Sequence, residues 1–145
     1  MRYFDTSFLV PFFVDEPTSG RVEQFLKRQE PGQAAISRWT CIEFSAVIAR
    51  RVRIGSMKRE TAAEIEDAFD LLAAESFIVV TPTPQDFERA KQYLRRYETG
   101  LRSGDALHLA IASNQSAQSI YSLDAGLVRA GQMLGLPVKT GIRLS

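Results

Sequence analysis

Apolar and polar positions follow two patterns along this chain: short apolar runs, and longer stretches in which apolar residues recur at helical spacing. The short runs predict strands, because each is ended by residues that favour turns or caps. They lie at residues 2–4, 34–36, 77–80 and 119–122, with a last edge strand beginning at 137–138. Since the predicted strands are separated by helices, we expect an α/β fold with a central, mainly parallel sheet flanked by helices.

The helices are predicted from capping residues at their starts and from glycine or proline at their ends. Asp5-Thr6-Ser7 caps the first, and Ser37 is the expected N-cap of the third. Pro84 begins a helix whose apolar face continues to Tyr97 and which ends at Gly100. Asp105 opens a helix that is apolar nearly all round and is therefore expected to be buried. The seven predicted helices span residues 5–14, 18–28, 38–53, 58–75, 84–100, 105–113 and 124–134.

Length and composition narrow the class of protein. A chain of 145 residues with average apolar and charged fractions predicts one globular domain over residues 1–145. Its single cysteine, Cys41, excludes an intrachain disulfide framework, and with one histidine the usual zinc sites are excluded too. The apolar run at residues 8–14 is too short to span a bilayer, and no signal peptide is evident. We therefore expect a cytoplasmic protein without membrane association.

Three aspartates occupy the positions at which parallel α/β sheets bind ligands, beyond the carboxyl ends of strands, and a fourth carboxylate lies within a helix. Asp5 follows the first strand, Asp124 follows the fourth, and Asp105 opens the apolar helix. Glu43 lies on a helix face with no lysine or arginine within one turn before it, so a metal ion is one partner that would offset its burial. Oxygen ligands without His or Cys favour Mg²⁺ or Mn²⁺, and such a site supports phosphodiester hydrolysis.

Each of these acids also has a purely structural interpretation. Asp is a favoured N-cap residue, so any one of the three aspartates alone is more simply a cap. Glu43 could reach solvent or pair with an arginine distant in sequence. The conjunction of all four acids, with no rival constellation, favours the site. Thr6, Ser7 and Ser122 are placed to orient the carboxylates or to contact phosphate, although hydroxyl groups at turns are often local caps.

Four segments together resemble the PIN-domain ribonucleases, specifically the VapC-type toxins of bacterial toxin–antitoxin pairs. They are Tyr3-Phe4-Asp5-Thr6-Ser7, Thr40-Cys41-Ile42-Glu43, the nine residues 102–110 (RSGDALHLA), and Ser122-Leu123-Asp124. Their order and spacing cover essentially the whole chain. The resemblance implies a PIN fold in which the three core acids bind Mg²⁺ or Mn²⁺, with Asp124 at a more variable fourth position. It identifies Asp5, Glu43, Asp105 and Asp124 as the candidate catalytic and metal-binding residues.

The same resemblance implies an RNA substrate, a neighbouring VapB-like antitoxin that covers the acidic groove, and a homodimer. Operator DNA would be bound only through the antitoxin. The helix pair 38–53 and 58–75 would carry dimer and antitoxin contacts.

Two basic runs are candidates for RNA contacts, although solvated helix faces would look the same. One covers residues 50–59, and the other covers residues 89–102 with two tyrosines and ends at Arg102, a candidate substrate contact. His108 is expected to be packed or hydrogen-bonded rather than a general base.

A different class of function stays open: a receiver-like regulatory or interaction domain that binds metal without nuclease activity. The strand at 77–80, taken as a middle strand, ends in Thr81-Pro82 rather than in a phosphoacceptor aspartate, which counts against a receiver.

Overall fold

A computed structural model describes all 145 residues and confirms the predicted α/β architecture. Five parallel strands form one sheet: β1 (Arg2–Phe4), β2 (Ala34–Ser37), β3 (Ile78–Val80), β4 (Ser119–Tyr121) and β5 (Val138–Lys139). Seven α-helices flank it: α1 (Thr6–Phe13), α2 (Ser19–Lys27), α3 (Arg38–Arg53), α4 (Arg59–Ser76), α5 (Pro84–Leu94), α6 (Ser103–Asn114) and α7 (Ala125–Met133). No helix is both long and apolar enough to span a membrane.

The strand order is β3-β2-β1-β4-β5, so the chain builds the sheet outward from β1 in both directions. It first adds β2 and β3 on one side and then returns to place β4 and β5 on the other. The order therefore reverses between β1 and β4, where Phe4 is in register with Tyr121. The crevice beyond such a reversal is the usual ligand site of parallel α/β sheets.

Alternating side chains of the strands supply two separate hydrophobic cores. Tyr3 and Ile120 point to the face covered by α5, α6 and α7, whereas Phe4, Ile36 and Tyr121 point to the face covered by α1 to α4. Each core contains thirteen buried residues. Because both faces of the sheet are buried, the strands are short continuous apolar runs rather than alternating polar and apolar ones.

The predicted helix from Pro84 to Gly100 is wrong beyond Leu94. Helix α5 ends at Leu94, and Tyr97–Thr99 forms a separate 3-10 turn closed by Gly100 in a left-handed conformation. The buried hydroxyl of Thr99 donates to the carbonyl of Arg96 and so closes this turn. Only Leu101 and Arg102 separate Gly100 from the start of α6. The chain therefore turns towards α6 before the end of the apolar repeat that predicts a longer α5. Tyr97 is left 85% exposed.

Two further expectations need correction. The apolar run at residues 77–80 was expected to be a middle strand, but β3 pairs only with β2 and lies at the edge of the sheet. Asp105 does not open its helix, because α6 begins at Ser103 and Asp105 lies in its first turn. The apolar pattern of α6 begins after Asp105, which is why the sequence places the helix start two residues late.

Candidate metal centre

The four predicted acids line one cavity of about 410 Å³ at the strand-order reversal. They come from four different parts of the chain: the end of β1, the middle of α3, the first turn of α6 and the segment after β4. The cavity is lined by Asp5, Thr6, Ser7, Val10, Glu43, Ala46, Val47, Arg50, Asp105 and Asp124. The fold therefore brings together residues that are up to 119 positions apart in the sequence.

Asp5 is the most buried of the four acids, with 3% of its surface exposed. Its Oδ1 accepts hydrogen bonds from the Phe8 backbone N–H at 3.1 Å and from the Ser7 hydroxyl at 2.7 Å, and its Oδ2 accepts one from Ser122 at 2.6 Å. Asp5 thus caps α1 and also faces the cavity, so the structural and the functional interpretations hold together. Burial raises the pKa of Asp5 above its ordinary value, and the three hydrogen bonds oppose that effect.

Asp124 also serves as a helix cap. Its Oδ1 accepts a hydrogen bond from the Leu127 backbone N–H at 3.1 Å, at the start of α7. Its own N–H donates to the Ser122 hydroxyl at 3.1 Å, which ties the fourth acid to the donor that holds Asp5. Asp124 is exposed, and its Oδ2 accepts no hydrogen bond. One oxygen is therefore used in the cap and the other is available to the cavity.

Asp105 is partly buried and lies near the other carboxylates of the cavity. Burial, followed by the nearby carboxylates of Asp124 and Asp5, raises its pKa to about 6. Neither Asp105 nor the other two aspartates forms a salt bridge. The three aspartates therefore bring negative charge together without a salt-bridge partner, an arrangement that a divalent ion would relieve.

The sequence leaves the partner of Glu43 open between a metal ion, solvent and a distant arginine, and the structure places a histidine there. Its Oε1 lies in very short contact with Nε2 of His108 on α6 and accepts a 2.7 Å hydrogen bond from the Thr6 hydroxyl. Burial alone would raise the pKa of Glu43, but its hydrogen bonds with His108 and Thr6 lower it below its ordinary value. Glu43 is thus held as a carboxylate without a metal, because a histidine distant in sequence completes its environment.

The second oxygen of Glu43 lies against Gly104. A Cβ atom at position 104 would come within 2.9 Å of Glu43 Oε2 and within 3.4 Å of the Trp39 ring. The Trp39 indole N–H donates to the Gly104 carbonyl at 3.2 Å, which fixes the approach of α3 to α6. Glycine at this position leaves room for the carboxylate beside the first turn of α6.

The predicted hydroxyl residues lie in the site, whereas Arg102 does not. Thr6 binds Glu43, and Ser7 and Ser122 bind Asp5 and are 3.2 Å from each other. Arg102 is the exposed N-cap of α6 and is not among the residues that line the cavity. The cation that does line it is Arg50, two turns after Glu43 on α3.

Some arginines of the two basic runs already pair with acidic side chains of the same chain. Arg51 pairs with Glu16 at 3.1 Å, and Arg96 pairs with Glu98 at 2.6 Å. Both pairs are at least partly exposed, and such pairs contribute little to stability. Arg50 is therefore the basic residue that the structure places best for contact with a phosphate at the acids.

The donor set fits a hard divalent cation, although no three of the acids converge as a closed ligand cluster. Free carboxylate oxygens of Asp105, Asp124 and Glu43 face the same cavity as Asp5, and no thiolate lines it. Oxygen ligands of this kind suit Mg²⁺ or Mn²⁺, which usually keep several waters. An open arrangement of this kind leaves space for those waters and for substrate.

Sequence inspection missed the residues beneath the site. Hydrogen bonds link Tyr3 and His108 to Glu43, and Gly104 leaves space for its carboxylate, but none of the three belongs to a recognisable ligand pattern. His108 is 1% exposed and hydrogen-bonded through both ring nitrogens, which confirms the expectation that it is a packed residue. One feature of the sequence does indicate that His108 lies near the site: it follows Asp105 by one helical turn, which places both side chains on one face of α6.

Comparison with known proteins places this geometry in a wider group. A family model of the PIN domain matches residues 2–132. Solved structures with the same fold include VapC20 of Mycobacterium tuberculosis, described as a toxin that cleaves the sarcin-ricin loop. It is 21% identical to this chain, with a TM-score of 0.73 over 90% of this chain and 95% of that one.

Two further solved structures share this fold over nearly the whole chain. FitAcB from Neisseria gonorrhoeae is 15% identical, with a TM-score of 0.74 over 97% of this chain and 98% of that one. A toxin–antitoxin complex from Klebsiella pneumoniae is 21% identical, with a TM-score of 0.68 over 99% of this chain and 100% of that one. At these identities the likeness establishes the fold. No curated protein matches the sequence.

Proposed function

Since this chain belongs to the PIN-domain family, a family of nucleases, we propose that it is a Mg²⁺- or Mn²⁺-dependent endoribonuclease. One observation carries the proposal: Asp5, Glu43, Asp105 and Asp124 line one cavity at the strand-order reversal, and none of the three aspartates forms a salt bridge. The proposed reaction is hydrolysis of RNA phosphodiester bonds by a protein of one domain, residues 1–145.

Each side chain has a distinct part in this proposal. Asp5 and Asp105 would hold the metal, with free oxygens of Glu43 and Asp124 completing the acidic set. A bound divalent ion would supply Lewis-acid chemistry, which makes a water more acidic and stabilises charge on phosphate oxygens. Ser7 and Ser122 hold the Asp5 carboxylate in place, and Thr6 holds that of Glu43.

Arg50 would bind a phosphate of the substrate at the rim of the cavity. Its guanidinium presents a planar fork of donors that matches phosphate oxygens. Because it is exposed on α3, it is available to the backbone of a bound strand. Arg102, on the exposed start of α6, would contact RNA further from the acids.

We further propose that the protein is the toxin of a toxin–antitoxin pair in the cytoplasm, neutralised by a VapB-like antitoxin. Several structures with this fold are described as complexes of this kind, among them VapBC2 from Rickettsia felis bound to promoter DNA. An antitoxin segment that covers the acidic cavity would block both metal and RNA, and operator DNA would be bound through the antitoxin alone.

A homodimer is the third element of the proposal, and an exposed apolar groove supports it. The groove, of about 520 Å³, lies between α3, α5 and α6 and contains Trp39, Ile42, Phe87 and Leu94. Ile42 is 63% exposed and Phe87 is 52% exposed. Exposed apolar side chains gathered in one groove commonly mark a protein interface.

The alternative, a regulatory domain that binds metal without cleaving RNA, keeps one structural feature in its favour. Strand β3 lies at the edge of the sheet, and the strand in its centre, β1, is directly followed by an aspartate, Asp5. The position of β3 therefore does not argue against a receiver, and the family match carries that argument instead.

Calorimetric titration of Mn²⁺ tests the proposal without knowledge of the substrate. Wild type should bind Mn²⁺ and cleave single-stranded RNA, whereas Asp105→Asn should lose both. Asp67→Asn, which neutralises an exposed acid on α4, is the matched control and should behave as wild type. Mn²⁺ binding without cleavage of any RNA class would favour the regulatory alternative, and equal weak binding by wild type and Asp105→Asn would exclude the metal site.

A further inference from the structure

A chain of buried hydrogen bonds runs from the start of α3 to the acidic cavity. The Tyr3 hydroxyl lies 2.9 Å from Ser37 Oγ, 3.5 Å from Thr40 Oγ1 and 2.8 Å from Nδ1 of His108. The other ring nitrogen of His108 contacts Oε1 of Glu43. Tyr3 is fully buried and His108 is 1% exposed, so no water is needed to complete this chain.

The chemistry of the groups fixes the direction of the chain. Glu43 is a carboxylate, which only accepts, so the Nε2 atom of His108 must carry the hydrogen. In the neutral imidazole Nδ1 then accepts, and its donor is the Tyr3 hydroxyl. Burial holds the pKa of Tyr3 well above its ordinary value, so this hydroxyl keeps its proton. Tyr3 in turn accepts from a neighbouring hydroxyl, that of Ser37 or Thr40.

The two carboxylate oxygens of Glu43 therefore have different surroundings at the cavity. Oε1 is occupied by His108 and by Thr6, whereas Oε2 accepts no hydrogen bond and lies beside Gly104. Because two partners hold Oε1, the carboxylate can rotate little. The direction in which Oε2 points is therefore fixed as well.

We propose that Tyr3 and His108 are positioning residues that hold Glu43 Oε2 ready for the divalent cation. This inference rests on the proposed function. By donating to Nδ1, the Tyr3 hydroxyl favours the Nε2–H form of the His108 imidazole, and this N–H holds Oε1 of Glu43. Hydrogen-bond partners behind a metal ligand commonly change metal affinity 10–100-fold when they are removed.

Tyr3→Phe is the sharpest test, because it removes one hydroxyl from a buried ring. We expect Mn²⁺ affinity, measured by calorimetry, to fall about tenfold. Tyr93→Phe, at a half-buried tyrosine packed against the same core, should leave the affinity unchanged. A lower melting temperature of Tyr3→Phe would accompany a structural role as well, so the dissociation constant is the deciding measurement.

Two variants of His108 separate the donor from the ring. His108→Gln keeps an N–H donor near Glu43 and should retain most of the affinity, whereas His108→Leu should lose about as much as Tyr3→Phe. In a Glu43→Gln background, Tyr3→Phe should have no further effect on Mn²⁺ binding, because Tyr3 acts through Glu43.

The only histidine of the chain gives a readout independent of metal. The ¹⁵N signals of His108 in the metal-free protein should show the Nε2–H tautomer in wild type and a mixture of tautomers in Tyr3→Phe. Failure of wild type to bind Mn²⁺ would overturn the proposed function together with this inference. Normal binding by wild type, with unchanged affinity and an unchanged His108 tautomer in Tyr3→Phe, would overturn the inference alone.

Discussion

The hydroxyl of Ser122 donates a 2.6 Å hydrogen bond to Oδ2 of Asp5, across the junction between β4 and β1. The two residues are 117 positions apart, and each directly follows a strand. The same hydroxyl accepts the backbone N–H of Asp124 at 3.1 Å. One buried serine therefore sets the positions of two of the four candidate metal ligands, and its deletion should be felt at the cavity.

Ser122→Ala should weaken Mn²⁺ binding by a factor of about ten, since the partners of a ligating carboxylate commonly matter to that extent. The loss of a buried hydrogen bond should also lower the free energy of unfolding by about 1 kcal/mol. Calorimetry and thermal unfolding measure the two effects. Ser45→Ala, which removes an exposed hydroxyl bound to Glu66, is the control and should change neither Mn²⁺ affinity nor melting temperature appreciably.

Asp105→Asn should stabilise the metal-free protein at neutral pH while abolishing its activity. The folded-state pKa of Asp105 is about 6 and its ordinary value is 3.8, so the folded protein holds this proton more tightly than the unfolded chain does. The charged form therefore destabilises the fold fully above about pH 6 and not at all below about pH 4. Favourable interaction with the α6 dipole, about 0.3–1 kcal/mol, offsets only part of this.

Thermal unfolding in the presence of a chelator tests this sign. Allowing for solvent screening at a partly exposed group, we expect a net gain of about 1 kcal/mol at pH 7.5, or roughly 2–4 °C in melting temperature. The gain should vanish at pH 4. Added Mn²⁺ should reverse the order of the two proteins, because only wild type gains stability from binding it. A variant less stable than wild type at pH 7.5 without metal would contradict the prediction.

Gly104→Ala should impair the site without destabilising the fold. Alanine in a helix is favoured over glycine by about 1 kcal/mol, but the added Cβ would lie 2.9 Å from Glu43 Oε2. Since the carboxylate must move, we expect at least a tenfold loss of Mn²⁺ affinity with a melting temperature close to that of wild type. Gly20→Ala in α2, where the added Cβ meets nothing within 4 Å, provides the control. Unchanged Mn²⁺ affinity in Gly104→Ala would show that Oε2 is not needed.

The sequence is sufficient to predict the parts of the fold that depend on local patterns. Apolar runs and caps such as Asp5 and Ser37 predict the strands and most helix starts, because those preferences act within a few residues. The end of α5 was missed because a tertiary constraint, the short link to α6, overrides the apolar repeat that continues to Tyr97. Likewise, the edge position of β3 depends on strand order, which local patterns do not encode.

The site residues also fall into two groups, those that local patterns predict and those that depend on how the helices pack. The carboxylates of Asp5 and Asp124 can be predicted, since parallel strands place their carboxyl ends at one edge of the sheet. The partner of Glu43 could not, because His108 is 65 positions away and contacts it only when α3 and α6 pack together. The absence of nearby cations in the sequence therefore says little about the charge that surrounds a buried carboxylate.

Phe87→Glu should prevent self-association if the apolar groove between α3, α5 and α6 is the dimer interface. A charge in the centre of an apolar interface must be desolvated without a partner, which costs several kcal/mol. The groove is lined by Arg38 and Lys91 but by no acid, so the new carboxylate could pair locally. Ile42→Lys, which places a positive charge beside those two cations, guards against that compensation.

Light scattering after size-exclusion chromatography measures the outcome directly. Wild type should have the mass of two chains, and both variants should have the mass of one. Met133→Glu, at a methionine on α7 that is 44% exposed, introduces a charge away from the groove and from the helix pair α3–α4, and should leave the dimer intact. Mn²⁺ binding by the monomeric variants should persist, because the acids all come from one chain. A dimer that survives both groove variants would place the interface elsewhere on the molecule.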